Sequence, residues 1–262
     1  APNRLGPVDH QVPVLKITGE ENAVKALLFG YACHGTVLDA YQFCGDWPGF
    51  AQDRIEERFP GATAMFINGC SADQNPTPRR RLELARQFGE SMANAVEAAL
   101  LAQQDPVEGT LRVRLEEIAI SFANIPDSRE LERMASSEDK YNVRRAGVLR
   151  SRVEKEGSLP TTYPYLIQMV EFGDSLLMPA LSGEVVVDYS LRLKNEIKGR
   201  KVWPAAYCND IMGYVPSRRI QEEGGYEAGE FVHYSTLPGT WGRDTEELII
   251  GRVLEMAGNA GD

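Results

Sequence analysis

The stretch of sequence that decides the fold is residues 26–37, ALLFGYACHGTV, in which an apolar run gives way to a polar turn. Such a run is typical of a strand that is buried on both faces, and Gly35 and Thr36 mark the turn that follows it. Side chains at a strand end of this kind are held rigidly and face a cleft. His34, one of only three histidines, is therefore the first candidate functional residue. The alternative is a core histidine whose ring nitrogens bond only to backbone groups.

Outward from this stretch, strand-like and helix-like segments alternate. Strands are predicted over residues 12–18, 23–33, 62–68, 110–120, 165–172, 175–179 and 202–207, and helices over 48–58, 77–104, a segment ending near 198, and 245–256. This pattern predicts a single α/β domain over residues 1–262, with an α+β tendency and a central mixed β-sheet flanked by helices. The highly charged segment 127–157 is predicted to be an exposed helical insertion.

Composition narrows the possible functions. The 262 residues carry a formal net charge of −10, and the basic clusters lie beside acidic residues, which argues against a nucleic-acid partner. No apolar run is long enough for a transmembrane segment, and no signal peptide is recognisable. The four cysteines form no C-x-x-C pair and are interpreted as buried thiols, while a contribution of Cys33, Cys44 or Cys70 to a metal site or a disulfide stays open.

Polar groups follow several of the predicted strands, each in a turn. These turns are residues 33–36 (CHGT), 68–76 (NGCSADQNP), 181–184 (LSGE) and 209–214 (NDIMGY). Because strand ends converge at one edge of a sheet, we expect His34, Glu184 and Tyr214 to lie close together. A histidine nitrogen, a carboxylate oxygen and a phenolate oxygen are suitable ligands for Zn²⁺, with a position left for water. A metal would also offset the cost of burying the Glu184 carboxylate.

Other kinds of site have less support. The sequence contains no G-x-G-x-x-G, P-loop, H-E-x-x-H or G-x-S-x-G pattern. Ser71, His34 and Asp73 are the residue types of a catalytic triad. The same Ser-Ala-Asp-x-Asn-Pro sequence is ordinary turn chemistry, however, and we favour that interpretation.

Short segments, taken in order, carry a family resemblance. They are residues 6–9 (GPVD), 31–36 (YACHGT), 45–51 (GDWPGFA), 66–76 (FINGCSADQNP), 183–184 (GE), and 209–215 (NDIMGYV) through 225–227 (GYE). In this order the chain resembles the neutral/alkaline non-lysosomal ceramidase family, and most closely the uncharacterised bacterial branch of that family. The resemblance extends over most of the chain.

The resemblance implies a fold, an activity and a set of site residues. In that family, two histidines, a glutamate and a tyrosine hold a zinc ion that acts on an amide bond. The matching positions are the zinc ligands His34, Glu184 and Tyr214, and Tyr226 as a tyrosine near the substrate amide. The chain is thus expected to be a zinc-dependent hydrolase that cleaves the C–N bond of a linear, lipid-like small-molecule amide. A secreted or periplasmic location is also implied.

The chain departs from the family pattern at two points. It contains no His-x-His segment for the family's first zinc histidine, and His10 lies too close to His34 in sequence to replace it. The chain therefore resembles the carboxy-terminal part of the catalytic domain, and it either holds zinc weakly or needs an upstream segment or a second chain to complete the site. Asn75 stands where the family has its serine nucleophile, and an asparagine side chain cannot act as one. A metal-bound hydroxide is then the simplest alternative nucleophile. The Asn75 amide would then donate to the oxyanion, and Asp73 would orient the loop.

Two alternative functions stay open at this point. One is a non-catalytic ceramidase-like domain that binds a ligand or a partner through the same cleft. The other is a metallohydrolase that acts on a different amide or on an ester.

Overall fold

A computed structural model describes residue 3 and residues 5–258 of the chain. Its strands are β1 (Val14–Thr18), β2 (Val24–Tyr31), β3 (Thr63–Asn68), β4 (Leu111–Ala123), β5 (Thr162–Phe172), β6 (Leu176–Leu181), β7 (Glu184–Val185), β8 (Lys201–Val202), β9 (Tyr214–Val215) and β10 (Thr240–Trp241). Its α-helices are α1 (Asp46–Arg58), α2 (Leu82–Leu101), α3 (Ser128–Ala135), α4 (Lys140–Glu156), α5 (Val187–Glu196), α6 (Arg218–Glu223) and α7 (Thr245–Met256). The predicted α/β class is confirmed.

The amino-terminal part is a three-stranded sheet in the order β1-β2-β3, with α1 and α2 packed against it. The strands β1 and β2 form the expected antiparallel hairpin. The strands β2 and β3 run parallel, with Tyr31 opposite Asn68. Parallel pairing brings the carboxyl ends of both strands to one edge, so the His34 turn and the loop over residues 68–76 begin side by side.

A five-stranded sheet in the order β10-β4-β5-β6-β8 forms the larger part of the molecule. Every residue of β6 is buried, because both of its faces are covered. Leu177 and Leu181 pack into the core that contains α5 and α7. Leu176 and Met178 pack with Trp203 against side chains of the first sheet. The strand β6 therefore lies between the two halves of the domain and joins their cores.

Two predicted elements are shorter than expected, and proline contributes to both. The predicted helix over residues 77–104 begins only at Leu82, because Pro76 and Pro78 disfavour helical backbone in the residues before them and Arg80 has a left-handed φ of +75°. The predicted strand over residues 202–207 is regular only as β8. Pro179 of β6 and Pro204 have no N–H group, so the ladder beyond β8 is incomplete. Single bonds remain, such as that from the Ala205 N–H to the Pro179 carbonyl oxygen at 2.8 Å.

The charged segment 127–157 contains α3 and α4, which pack on each other around a small core that includes Leu131 and Leu149. The Arg145 side chain donates to the carbonyl oxygen of Leu237 at 2.9 Å and ties this helix pair to the rest of the domain. The segment is helical as expected, and its status as an insertion stays a prediction. Among the described residues, no helix has the length and apolar character needed to cross a membrane.

Candidate functional site

The four strand-end turns lie against one another. The His34 N–H donates to the Gln74 carbonyl oxygen at 2.9 Å, which joins the first turn to the loop over residues 68–76. The Ala72 N–H donates to the Val185 carbonyl oxygen at 3.1 Å and joins that loop to β7. The Gly183 N–H donates to the Asp210 carbonyl oxygen at 2.7 Å, which brings in the last turn. The expected convergence of the turns is therefore observed.

Parallel pairing of β7 with β9 sets Glu184 directly beside Tyr214. The approach depends on Gly183, whose φ of +78° is costly for other residues. A Cβ at Gly183 would lie 2.7 Å from the Met212 sulfur and 2.9 Å from the Gly213 carbonyl oxygen. Glycine is thus the residue that allows the two short strands to pair and to present both side chains together.

The His34 ring is held from one side by the backbone. Its Nε2 lies 3.0 Å from the Ala72 carbonyl oxygen. Because a carbonyl oxygen only accepts, Nε2 donates to it, which leaves Nδ1 as the lone-pair nitrogen of the neutral ring, the arrangement commonly seen for a metal-ligating histidine. The Nε2 atom is 3.9 Å from Glu184 Oε2, and the two side chains are 12% and 22% exposed. Trp47 Nε1 donates to the His34 carbonyl oxygen at 2.9 Å and fixes the main chain.

Tyrosine rings form the other wall of the site. The ring centroids of His34 and Tyr214 are 6.4 Å apart, and those of Tyr214 and Tyr226 are 5.3 Å apart. Burial, together with the negative charge of Glu184, raises the pKa of Tyr214 above its ordinary value. Tyr226 is 42% exposed and packs edge-on against the Tyr214 ring. These aromatic contacts bring Tyr226 to the rim of the site.

The predicted loop residues Asp73 and Asn75 have different surroundings. Asp73 Oδ1 accepts the Val187 N–H at 2.9 Å, so it fastens the loop to the start of α5. Burial raises the pKa of Asp73, and the hydrogen bond from Val187 acts in the opposite direction. Asn75 is exposed, and its Oδ1 accepts from Thr36 Oγ1 at 3.3 Å and from Arg79 Nη1 at 3.3 Å. Asp73 therefore orients the loop, whereas Asn75 is accessible.

Asn75 lies at a cavity of about 500 Å³ beside the His34 turn. The lining includes five large apolar or aromatic side chains: Val12, Tyr31, Trp47, Phe88 and Met92. His10 lines the same cavity, so it faces the cavity rather than completing the His34 cluster. The cavity has the size and character of a site for a small, largely apolar ligand.

Tyr207 is a site residue that the sequence analysis missed. Its hydroxyl oxygen is 3.3 Å from His34 Nδ1, 3.4 Å from Glu184 Oε2 and 3.2 Å from Ser71 Oγ. The predicted strand over residues 202–207 included this tyrosine as its last residue. Its position at a strand end, next to the turn over residues 209–214, was the signal that could have identified it.

The residue types around His34 limit which ligands a metal ion could have at this site. Within the described part of the chain, no group of three or more His, Cys, Asp and Glu side chains could hold a metal ion. His34 and Glu184 are two such residues, so a metal here would also need phenolic oxygens. A donor set of imidazole, carboxylate and tyrosine suits zinc. The cysteines are free thiols, and burial raises the pKa of Cys33 to about 12.

Two solved structures are similar over nearly the whole chain. One is the neutral ceramidase from Pseudomonas aeruginosa, with a TM-score of 0.67 and 16% identity over 97% of this chain. The other is a ceramidase complexed with C2, with a TM-score of 0.71 and 16% identity over 95% of this chain. The chain has a ceramidase-like fold. It spans 48% of the length of each of those two chains.

No protein-family model matches the sequence, and no curated protein matches it. The fold that the sequence resemblance implied is confirmed by the similarity to these two solved structures. The zinc ligands, the amide substrate and the roles of single residues stay predictions.

Proposed function

We propose that this protein is a zinc-dependent hydrolase that cleaves the C–N bond of a linear, lipid-like small-molecule amide. The observation that carries the proposal is the convergence of His34, Glu184 and Tyr214 at one edge of a ceramidase-like fold. These three residues come from separate turns, and each is held by backbone pairing or hydrogen bonds.

Zinc would be held by His34 Nδ1, a Glu184 carboxylate oxygen and the Tyr214 phenolic oxygen. When bound, zinc polarises a carbonyl group and lowers the pKa of a water molecule from 15.7 to about 7. The Ala72 carbonyl oxygen keeps the His34 ring in one tautomer. Partial burial of His34 and Glu184 limits the water around them, which strengthens their electrostatic interactions.

The accessible side of the site would bind the substrate. Asn75 uses its Oδ1 to accept two hydrogen bonds, so its NH₂ group is the part available to donate to an amide carbonyl oxygen. Such a donor stabilises the negative charge that develops on that oxygen. The apolar cavity beside Asn75 would take the hydrocarbon part of the substrate. Tyr226, at the rim, would hydrogen-bond to the amide from the opposite side.

Zinc-supplemented full chain should release free amine from a long-chain N-acyl amine. His34→Ala and Glu184→Gln should each lower kcat/KM by at least about 100-fold, because even residues that only support a metal ligand cost roughly 10- to 100-fold when changed. Glu154→Gln, an exposed glutamate of α4, is the matched control and should retain activity. No amine release by the wild-type chain, or equal activity of all three variants, would contradict the proposal.

A further inference from the structure

The Tyr207 hydroxyl lies at the centre of the polar groups of the site. Three atoms surround its oxygen at 3.2–3.4 Å: Ser71 Oγ, His34 Nδ1 and Glu184 Oε2. Ser71 is fully buried, and its hydroxyl donates to the tyrosine oxygen. His34 and Glu184 contribute atoms that accept, because Nε2 of His34 already carries the ring proton toward Ala72.

Ordinary hydrogen bonding does not satisfy this arrangement. A phenol has one proton, so Tyr207 can donate to His34 or to Glu184 but not to both. Both distances are also long, since O–H···N and O–H···O hydrogen bonds usually measure about 2.7–2.8 Å between heavy atoms. One acceptor is therefore left facing an oxygen lone pair in a partly buried site, which is unfavourable.

The same distances fit donor atoms arranged around a single cation. Zinc bonds to nitrogen and oxygen of about 2.0–2.1 Å place neighbouring donor atoms of a tetrahedron about 3.3–3.4 Å apart. The separations from the Tyr207 oxygen to His34 Nδ1 and Glu184 Oε2 have these values, whereas the shortest distance between His34 and Glu184, from Nε2 to Oε2, is wider at 3.9 Å. A cation among the three atoms would satisfy both lone pairs that the single phenolic proton cannot.

The backbone at Tyr207 is strained, which is unusual for a large side chain. Its φ is +61°, in the left-handed region that residues other than glycine rarely adopt. The Tyr207 N–H donates to the Gly183 carbonyl oxygen at 3.0 Å, and the Ala206 N–H donates to the Asn68 carbonyl oxygen at 3.1 Å. These bonds hold the strained segment between two turns of the site. Strain of this kind is concentrated at functional positions.

We propose that Tyr207 is a further zinc ligand, so that His34, Glu184, Tyr214 and Tyr207 bind one ion together. Coordination replaces the O–H bond of Tyr207 by a bond to the metal, and the proton leaves to solvent. The Ser71 hydroxyl donates to the phenolate oxygen and keeps it oriented. Zinc held by these four residues would still be able to take a substrate oxygen or a water molecule. This inference rests on the proposed zinc dependence of the site.

The wild-type chain alone supplies one test. Zinc binding to the metal-free full chain should produce the near-ultraviolet difference band of tyrosinate with an amplitude of two tyrosinates per bound ion, from Tyr207 and Tyr214. Tyr207→Phe and Tyr214→Phe should each halve that amplitude and should each weaken zinc binding, measured by competition with a chelator, by at least about 100-fold. Tyr189→Phe removes a buried hydroxyl that bonds to Pro216 instead, and should change neither quantity.

The outcomes separate the two proposals. One tyrosinate per zinc in the wild type, or full amplitude and unchanged affinity in Tyr207→Phe, would overturn the role of Tyr207 and leave the proposed function intact. No zinc binding by the wild type would overturn both. Circular dichroism of each metal-free variant controls for folding. If Tyr207→Phe does not fold, Ser71→Ala should weaken zinc binding by about 10- to 100-fold through the same phenolate, and unchanged binding would count against the inference.

Discussion

At the scale of single residues, the site is built from side chains whose neighbours leave one atom available. His34 uses Nε2 on a backbone carbonyl and keeps Nδ1 open. Asn75 uses Oδ1 on Thr36 and Arg79 and keeps its NH₂ group available. Each side chain is thus held in one orientation by an atom that takes no part in chemistry.

Tyr226 provides a test of the substrate-binding side. In Tyr226→Phe, kcat and kcat/KM should fall together by about 10- to 1,000-fold, because the lost hydrogen bond is made mainly in the transition state. Steady-state kinetics on an N-acyl amine would measure this. Tyr234→Phe is the control: its ring lies 6.1 Å from that of Tyr226 and is also exposed, but it packs against Tyr141 and His233. Wild-type kinetics for Tyr226→Phe would assign this tyrosine to packing.

The sequence identifies only some of these residues. The proximity of His34, Glu184 and Tyr214 was predictable because each stands in a polar, Gly-containing segment that follows a predicted strand, and their roles stay predictions. Tyr207 was overlooked at the end of the predicted strand over residues 202–207, because the β-like pattern gave no indication of its left-handed backbone. The contacts of the Asn75 amide depend on Arg79 and Thr36, which only the folded loop brings together.

At the scale of elements, the length of each strand and helix follows local rules, whereas their placement follows packing. The hairpin of β1 and β2 and the helix α7 were predicted closely, since hydrophobic periodicity defines them. The strands β7 and β9 were not predicted as strands. Each has two residues, too few for any pattern, and they exist because Gly183 lets the chains approach.

The helix α5, which follows Glu184, is anchored by Asp9, a buried aspartate near the amino terminus of the chain. Asp9 Oδ2 accepts from Ser190 Oγ at 2.6 Å and pairs with Lys194 Nζ at 2.6 Å. Burial by itself raises the pKa of Asp9, but the bonds from Lys194 and Ser190 and the charge of Lys194 outweigh it, so the pKa is lowered overall. A lowered pKa in the folded state stabilises the fold above the unfolded pKa and loses this effect as pH falls through the folded pKa.

We therefore expect Asp9→Asn to reduce the free energy of unfolding at pH 7 by about 1.5–3 kcal/mol, the range for hydrogen bonds to charged groups. The deficit relative to wild type should shrink as pH falls below about 4, where an ordinary aspartate becomes protonated. Urea unfolding across this pH range measures it, with the exposed Asp53→Asn as control. A deficit that stays constant or grows on acidification would show that Asp9 does not act through its charge.

At the scale of the whole molecule, the two larger sheets meet along β6 and the segment after β8. Trp203 packs between Leu176 and Met178 on one side and Leu15 and Leu28 on the other. The same segment continues to Tyr207, so the packing that joins the two halves also positions one wall of the site. The division of the strands among separate sheets could not be predicted, because an apolar run such as β6 does not show which partner covers each face.

The central claim is that this chain binds zinc through side chains from several of these turns, and elemental analysis tests it most directly. The full chain, freed of metal, equilibrated with zinc and dialysed, should retain one zinc ion per chain, and His34→Ala treated identically should retain almost none. A wild-type chain without zinc, or a His34→Ala chain with as much zinc as the wild type, would contradict the account.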